Sequence, residues 1–420
     1  MVKFLKILFP SIIVFFTLVA MSGSNYANTL EFKASAFPST ANGNPLVPEA
    51  IERTTSNNLI IAGHSGIQAT VIKTDSKGNA LWEYSLARLD DFPHAGVPEF
   101  RGVAVLPDDS IYLCGNMPRP PQSTAARAFV THLDVTGRKL GEDFVAPATM
   151  MDGRFPLGQV TACTRWGDGI VLFGTSSVLN PAKSQGTLPT LNEFFWLLYL
   201  GQDGKVKWER LIPEKFYQYG LRNPFRPLDA DMLVAATDGN HTKIFRFSMD
   251  GITVAQKTIS GAFSFVRESS SNGVIHLIGT EANFSATASP STHIIALDFN
   301  LNMTVGGGVS LPSVYGITYQ LSNGRFVVIG GKNQEFGQRK TSTLTLIDRS
   351  TEEVNFVEFP FSHSPFADGG GVVAAVAGDS PGEFIAARFV TKVETNDKPV
   401  HPVPTGFKSG VVLDFFNLNK

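Results

Sequence analysis

Apolar positions along this chain fall into short unbroken runs, each opened by a turn residue and closed by a small one. The copies are Asn58-Leu-Ile-Ile-Ala-Gly63, Asp109-Ser-Ile-Tyr-Leu-Cys-Gly115 and Asp168-Gly-Ile-Val-Leu-Phe-Gly174. Asp231-Met-Leu-Val-Ala-Ala236, Asn272-Gly-Val-Ile-His-Leu-Ile-Gly279 and Asn323-Gly-Arg-Phe-Val-Val-Ile-Gly330 follow, with a weaker copy at Gly382-Glu-Phe-Ile-Ala-Ala387. Runs rich in β-branched and aromatic residues between turn signals predict strands. They are too short and too continuous for amphipathic helices, and helical periodicity is nearly absent.

A second unit alternates with the first: an apolar strand, then a turn opened by Asp or a stand-in. The clear copies are Asp75-Ser-Lys-Gly78-Asn-Ala-Leu-Trp82, Asp134-Val-Thr-Gly137 and Gly201-Gln-Asp-Gly204-Lys-Val-Lys-Trp208. Degenerate ones stand at Ser248–Gly251, Asp298–Leu301, Asp348–Thr351 and Asp414–Asn417. Asp bonds backbone amides two residues on and Gly supplies the positive φ, which is hairpin chemistry. The Trp is expected to cover the outer strand.

The two units alternate seven times. Four short strands per repeat is propeller-blade spacing, and it predicts an all-β fold: a β-propeller of seven four-stranded blades. A β-helix and two stacked sandwiches are the competing architectures. After Asp414 the chain stops too soon for another outer strand, whereas Leu30-Glu-Phe-Lys-Ala-Ser-Ala-Phe37 is a spare alternating segment near the start. Docking it as the outer strand of the last blade would close the ring and hide an edge.

The D-x-x-G-x-x-x-W turn at Asp75–Trp82, with its variant at Gly201–Trp208, resembles the repeat of PQQ-like, quinoprotein-type propellers. Phe326-Val-Val-Ile-Gly330-Gly331 is similar to a kelch blade with its double glycine. Both resemblances are architectural. Quinoprotein dehydrogenases place adjacent cysteines beneath their cofactor, whereas Cys114 and Cys163 lie far apart, so no quinone cofactor is implied.

Composition places the fold. Lys3 and Lys6 precede an apolar run, Ile7–Ala20, and small residues follow: residues 1–27 read as a signal peptide, with 28–420 a single propeller domain in the periplasm or secreted. The run is short for a membrane span, and no later stretch approaches one. The net charge is −2, with no long run of one sign, which leaves out the basic footprint of a nucleic-acid binder. The two cysteines either pair in an oxidising compartment or stand as buried thiols.

No motif carries catalysis. Gly378-Asp379-Ser380-Pro381-Gly382 matches G-x-S-x-G, but Pro381 and Gly382 account for it as a turn between strands. Asp90-Asp91-Phe-Pro-His94 and Asp238-Gly-Asn-His241 lack the spacing of a closed metal site, so neither metal nor cofactor is assigned. The strand order gathers loops on one face of the ring. They bring His64, Asp91, His94, Asn116, Arg119, Asp152 and Arg154 from the early blades, then Tyr217, Tyr219, Arg222, Asp238 and His241, then Glu281, Lys332, His363 and Asp368. The longest insertions, Met117–Ala126, Ser176–Asn192 and Pro213–Arg222, lie there too, and loops of that size tend to be functional. The leading expectation is a monomeric binding module, of scaffold, inhibitor or immunity type, gripping a protein or an envelope component such as a polysaccharide. The alternative is a carbohydrate-active enzyme drawing its acid–base pair from Asp91, Asp152, Asp238, Glu281 and Asp368.

Overall fold

Turn chemistry sets where the strands stop. Asp75 Oδ1 accepts from the backbone N–H of Lys77 and Asn79 at 2.9 and 2.8 Å, while Gly78 turns the chain at φ +87°. Asp134 does the same for Thr136 and Arg138, and Asp298 for Asn300 and Asn302. With hairpins closed at these points, the chain stacks into antiparallel sheets.

The computed structural model describes residues 30–36, 38–41, 43–86, 97–117, 127–148, 157–180, 190–212, 224–228, 230–238, 240–268, 274–280, 291–304, 309–312, 314–320, 326–332, 342–348, 353–358, 372–378, 382–391 and 409–418. The first sheet pairs Leu46–Arg53, Leu59–Ser65, Gln68–Thr74 and Ala80–Leu86 in that order. The second pairs Glu99–Val105, Ile111–Met117, Arg127–Leu133 and Lys139–Val145. Leu157–Trp166, Gly169–Asn180, Thr190–Leu200 and Val206–Ile212 make the third. Phe225–Pro227, Asp231–Thr237, His241–Ser248 and Thr253–Ser260 make the fourth. The fifth contains Ala262–Phe265, Ile275–Thr280, Ser291–Leu297 and Val309–Pro312. The sixth contains Val314–Gln320, Phe326–Lys332, Ser342–Asp348 and Glu353–Glu358, and the seventh Val372–Ala377, Glu383–Thr391 and Ser409–Leu418.

The first strands of the second and third sheets pack on those of the sheets before them, and that of the seventh packs back on the first. The fold is an all-β propeller. Seven four-stranded blades are expected; six sheets have four strands, and the sixth in chain order has five. Its extra strand is Arg267–Glu268, which leaves the fifth sheet's inner strand and pairs in parallel with Tyr319 and Gln320.

Ring closure follows the sequence expectation. Leu30–Ala36 pairs antiparallel with Ser409–Leu418, Leu30 opposite Leu418 and Ala36 opposite Leu413, as the outer strand of the seventh sheet. Lys33 Nζ adds an ion pair to Glu383. The turn expected at Asp414–Asn417 is overturned, because those residues lie within the strand and pair with Ser35 through Glu31. Leu46, Ile51, Leu59 and Ile61 share one buried cluster with Val376, Ile385, Val411 and Leu413, so the two ends of the chain bury a common core.

The glycine within the second strand of the first, second, third and fifth sheets has a steric cause. A Cβ on Gly63, Gly115, Gly174 or Gly279 would collide with the backbone carbonyl of Val47, Glu99, Gln159 or Ala262 on the inner strand beside it. The tryptophans do not cover their own outer strand as expected. Trp82 reaches the next sheet's turn, donates Nε1–H to Val135 O at 3.1 Å, and lays its ring where a Cβ on Gly137 would stand. Trp208 repeats this on the fourth sheet through Met249 O at 2.9 Å and the face of Gly251. Gly141 holds the matching position in the second sheet, and there Tyr112 supplies the link, donating to Gln202 O at 3.0 Å. Side chains of the first three sheets thereby each clasp the turn of the next sheet.

Candidate functional site

Bulges in the inner strands re-aim side chains at the end of the ring where each second strand finishes. The pairing register skips at Glu49 in the first sheet, at Arg101 in the second and at Thr161 in the third. A bulge leaves its residue out of the ladder and bends the strand, a device common beside functional sites. Glu49, His64, Glu99 and Arg101 meet here, where the first sheet abuts the second. Arg101 spans two carboxylates: Nη1 lies 3.3 Å from Glu49 Oε2 and Nη2 lies 2.6 Å from Glu99 Oε1. The side chains of Glu49, Glu99 and Arg101 keep 27%, 23% and 38% of their surface in solvent. The cluster is therefore half-open and reachable.

His64 follows the crowded Gly63 and stands opposite Val47. Its Nδ1 is buried and has no hydrogen-bond partner among the described residues. Burial holds its imidazole below the ordinary histidine range, against the pull of Glu99 and with the push of Arg101. With His64 neutral, two carboxylates and one guanidinium leave the cluster with one net negative charge.

One ligand atom each from Glu49, His64 and Glu99 lies within 4.8 Å of the others. Two carboxylates and an imidazole are donors a divalent cation accepts. Arg101 already occupies the cationic place between the carboxylates, however, and its charge repels a metal ion from that point.

Of the residues singled out from sequence, Asn116 occupies in the second sheet the place His64 holds in the first, directly after the glycine. Its amide is spent on structure. Nδ2 donates to Val160 O at 2.8 Å and Oδ1 accepts from Val160 N–H at 2.9 Å, clipping the second sheet to the third. Asp238 and His241 share one exposed turn, in which Asp238 Oδ1 accepts from Asn240 and His241 N–H at 2.8 and 2.6 Å. Partial burial opposes these bonds, yet they hold the Asp238 carboxyl below its ordinary value. Lys332 ends the second strand of the sixth sheet, opposite Val314. Asp91, His94, Arg119, Asp152, Arg154, Tyr217, Tyr219, Arg222, Glu281, His363 and Asp368 lie outside the described residues.

The insertion expected at Ser176–Asn192 is in part strand, since its hairpin extends to Asn180 on one side and Thr190 on the other. Strand Val372–Ala377 precedes the G-x-S-x-G motif and strand Glu383–Thr391 follows Gly382, where a nucleophile elbow needs a helix; Ser380 itself lies outside the described residues. Glu49, Glu99 and Arg101 escape the sequence reading. Their signal is charge inside inner strands: Glu49 after Pro48 in an apolar run, and Glu99 and Arg101 alternating around Phe100.

Fold and site together define a β-propeller with a charged, half-open cluster at one blade junction. No family model matches the chain, and no curated protein matches it. Solved structures do align. A protein of unknown function from Bacteroides caccae is 14% identical with a TM-score of 0.41, over 72% of this chain and 93% of its own. A Dyadobacter fermentans protein of unknown function is 9% identical, TM-score 0.45, over 93% and 99%. An alpha-L-arabinanase from Penicillium chrysogenum, complexed with arabinobiose, is 12% identical, TM-score 0.46, over 93% and 98%. At these identities and scores they carry no argument about activity.

Proposed function

We propose that this protein is an exported, monomeric binding propeller that engages a protein or cell-envelope partner through the end of the ring bearing Glu49, His64, Glu99 and Arg101. The single observation behind the reading is the state of that cluster. Two carboxylates are held in place by one guanidinium, all three partly exposed, and beside them a neutral imidazole carries a buried nitrogen with no partner among the described residues. Charge that is fixed in position and still half-hydrated suits recognition of a cationic or hydroxyl-rich surface, because few groups must be ordered on binding. The loops from Met117 to Ala126 and from Pro213 to Arg222 would extend the contact, with Tyr217, Tyr219 and Arg222 as its aromatic and guanidinium anchors.

A carbohydrate-active enzyme is the second reading, favoured by the approach of Glu49 to Glu99, whose ligand atoms come within 4.8 Å. Retaining glycosidases set their carboxyl groups about 5 Å apart. Against it, Arg101 already bridges the two carboxylates, 3.3 Å from Glu49 Oε2 and 2.6 Å from Glu99 Oε1, and fills the space a substrate would need between them. Passing native envelope extract over the immobilised protein, with reducing-sugar release measured in parallel, separates the two readings. Stoichiometric recovery of a partner without sugar release is the expected result. A Tyr219→Ala/Arg222→Ala variant that recovers the partner undiminished would remove the loops from the contact surface.

A further inference from the structure

The chain's two cysteines come from different sheets and meet at one junction. Cys114 lies on the second strand of the second sheet, opposite Gly102, and Cys163 on the inner strand of the third. Both are buried, Cys114 completely and Cys163 to 7% exposure. Gly102 shows how close they are. A Cβ on that glycine would stand 2.8 Å from Cys114 Sγ, 3.0 Å from Cys163 Sγ and 2.5 Å from the Cys163 backbone nitrogen. Gly102 has no side chain to stand between them, and the two thiols crowd the space its Cβ would take. The two-point clip from Asn116 to Val160 ties the same sheets together close by.

We propose that Cys114 and Cys163 are a disulfide-forming pair that fastens the second sheet to the third when the chain folds in an oxidising compartment. The oxidant is a low-molecular-weight disulfide of the glutathione class. One protein thiolate attacks it, forming a mixed disulfide and releasing one small thiol. The second cysteine sulfur then attacks the mixed disulfide, releasing the other small thiol. Two protein thiols lose two electrons and two protons, and one small disulfide becomes two thiols. Thiolate is the reactive form, and burial together with the neighbouring Cys163 thiol pushes Cys114 well above its ordinary range. The bond therefore forms before the junction closes, and once formed it is shielded from reductant. It resists opening in the folded state and opens only on unfolding. The inference does not rest on the ligand proposed above.

The purified protein is refolded from denaturant in oxidised and reduced glutathione and, separately, in dithiothreitol. Free thiols are then counted after denaturing alkylation, and the peptides are mapped by mass spectrometry without reduction. Expected are no free thiols in the glutathione sample, a joined Cys114–Cys163 peptide, and a Tm higher by about 5 °C than in the dithiothreitol sample. A Cys114→Ala/Cys163→Ala variant should lose that difference between the two buffers. Two free thiols after refolding in the glutathione buffer would overturn the proposal, as would a bond that forms only between chains. An oxidised form less stable than the reduced one would also overturn it. Thiol counting decides the matter even if the double variant does not fold.

Discussion

Gly137→Ala tests whether turn-to-turn clasps hold the ring. Gly137 turns at φ +84°, so any side chain there meets a backbone penalty of about 1–2 kcal/mol. Its added Cβ would also stand 2.7 Å from Trp82 Cδ2 and 2.8 Å from Cε3, inside the ring's own space. The indole must withdraw, giving up its hydrogen bond to Val135 O, about 1 kcal/mol, and part of its packing, about 1 kcal/mol more. The expected loss is about 3–4 kcal/mol. Gly204 is the internal reference. It occupies the same turn position one sheet later at φ +73°, and a Cβ there would meet nothing nearer than Tyr112 Oη at 3.5 Å. Gly204→Ala should cost only the backbone penalty, about 1–2 kcal/mol. Urea titrations followed by far-ultraviolet circular dichroism measure both variants. In a Trp82→Ala background, Gly137→Ala should fall to the Gly204→Ala value. Equal costs for the two glycines in the native background would refute the clasp.

Three further outcomes follow from the same structure. Asp109 is nearly buried, yet it accepts from Thr55 and Ser56 through both backbone N–H and hydroxyl groups at 2.5–3.2 Å. Burial opposes these bonds, but they hold its carboxyl below the ordinary value. Its contribution is therefore present above the unfolded carboxylate value, near pH 4, and is lost as pH falls through the lower folded value. Asp109→Asn should cost about 2 kcal/mol at pH 7, with the gap from the native chain narrowing in denaturation curves taken from about pH 5 downward. Asn116→Ala unpairs both backbone groups of Val160 and should cost about 2 kcal/mol by urea titration, whereas a loss under about 0.5 kcal/mol would contradict the clip. Deleting Leu30–Ala36 bares the Ser409–Leu418 edge, so the shortened protein should self-associate more than the full chain in light scattering, and equal behaviour would contradict the edge-covering role.

The sequence carried most of this fold because its stops are local. Asp75, Asp134 and Asp298 bind amides two and four residues away, so their turns needed no knowledge of the rest of the chain. The N-terminal closing strand was legible from its alternation and from the missing outer strand after Asp414. Asp414 itself was misread, because its pairing with Ser35 is a contact between opposite ends of the chain. Trp82 was misread for a related reason: its partner, the Val135 turn, belongs to another repeat. The charged cluster was harder still. Glu49 and Arg101 sit on bulges, and a bulge is a slip of register between strands that no single run of residues records. His64 stands beside Glu49 and Glu99 at the first junction, while the amide of Asn116 is tied up in holding sheets together.

Glu49 and Glu99 are proposed to present fixed charge to a partner. The most direct measurement compares recovery of envelope components by the native protein and by Glu49→Gln/Glu99→Gln, with circular dichroism confirming that both are folded. A partner held stoichiometrically by the native protein and lost, or weakened at least tenfold, by the variant is the predicted result. Equal recovery by both would contradict it, and sugar release by the native protein alone would replace binding with catalysis.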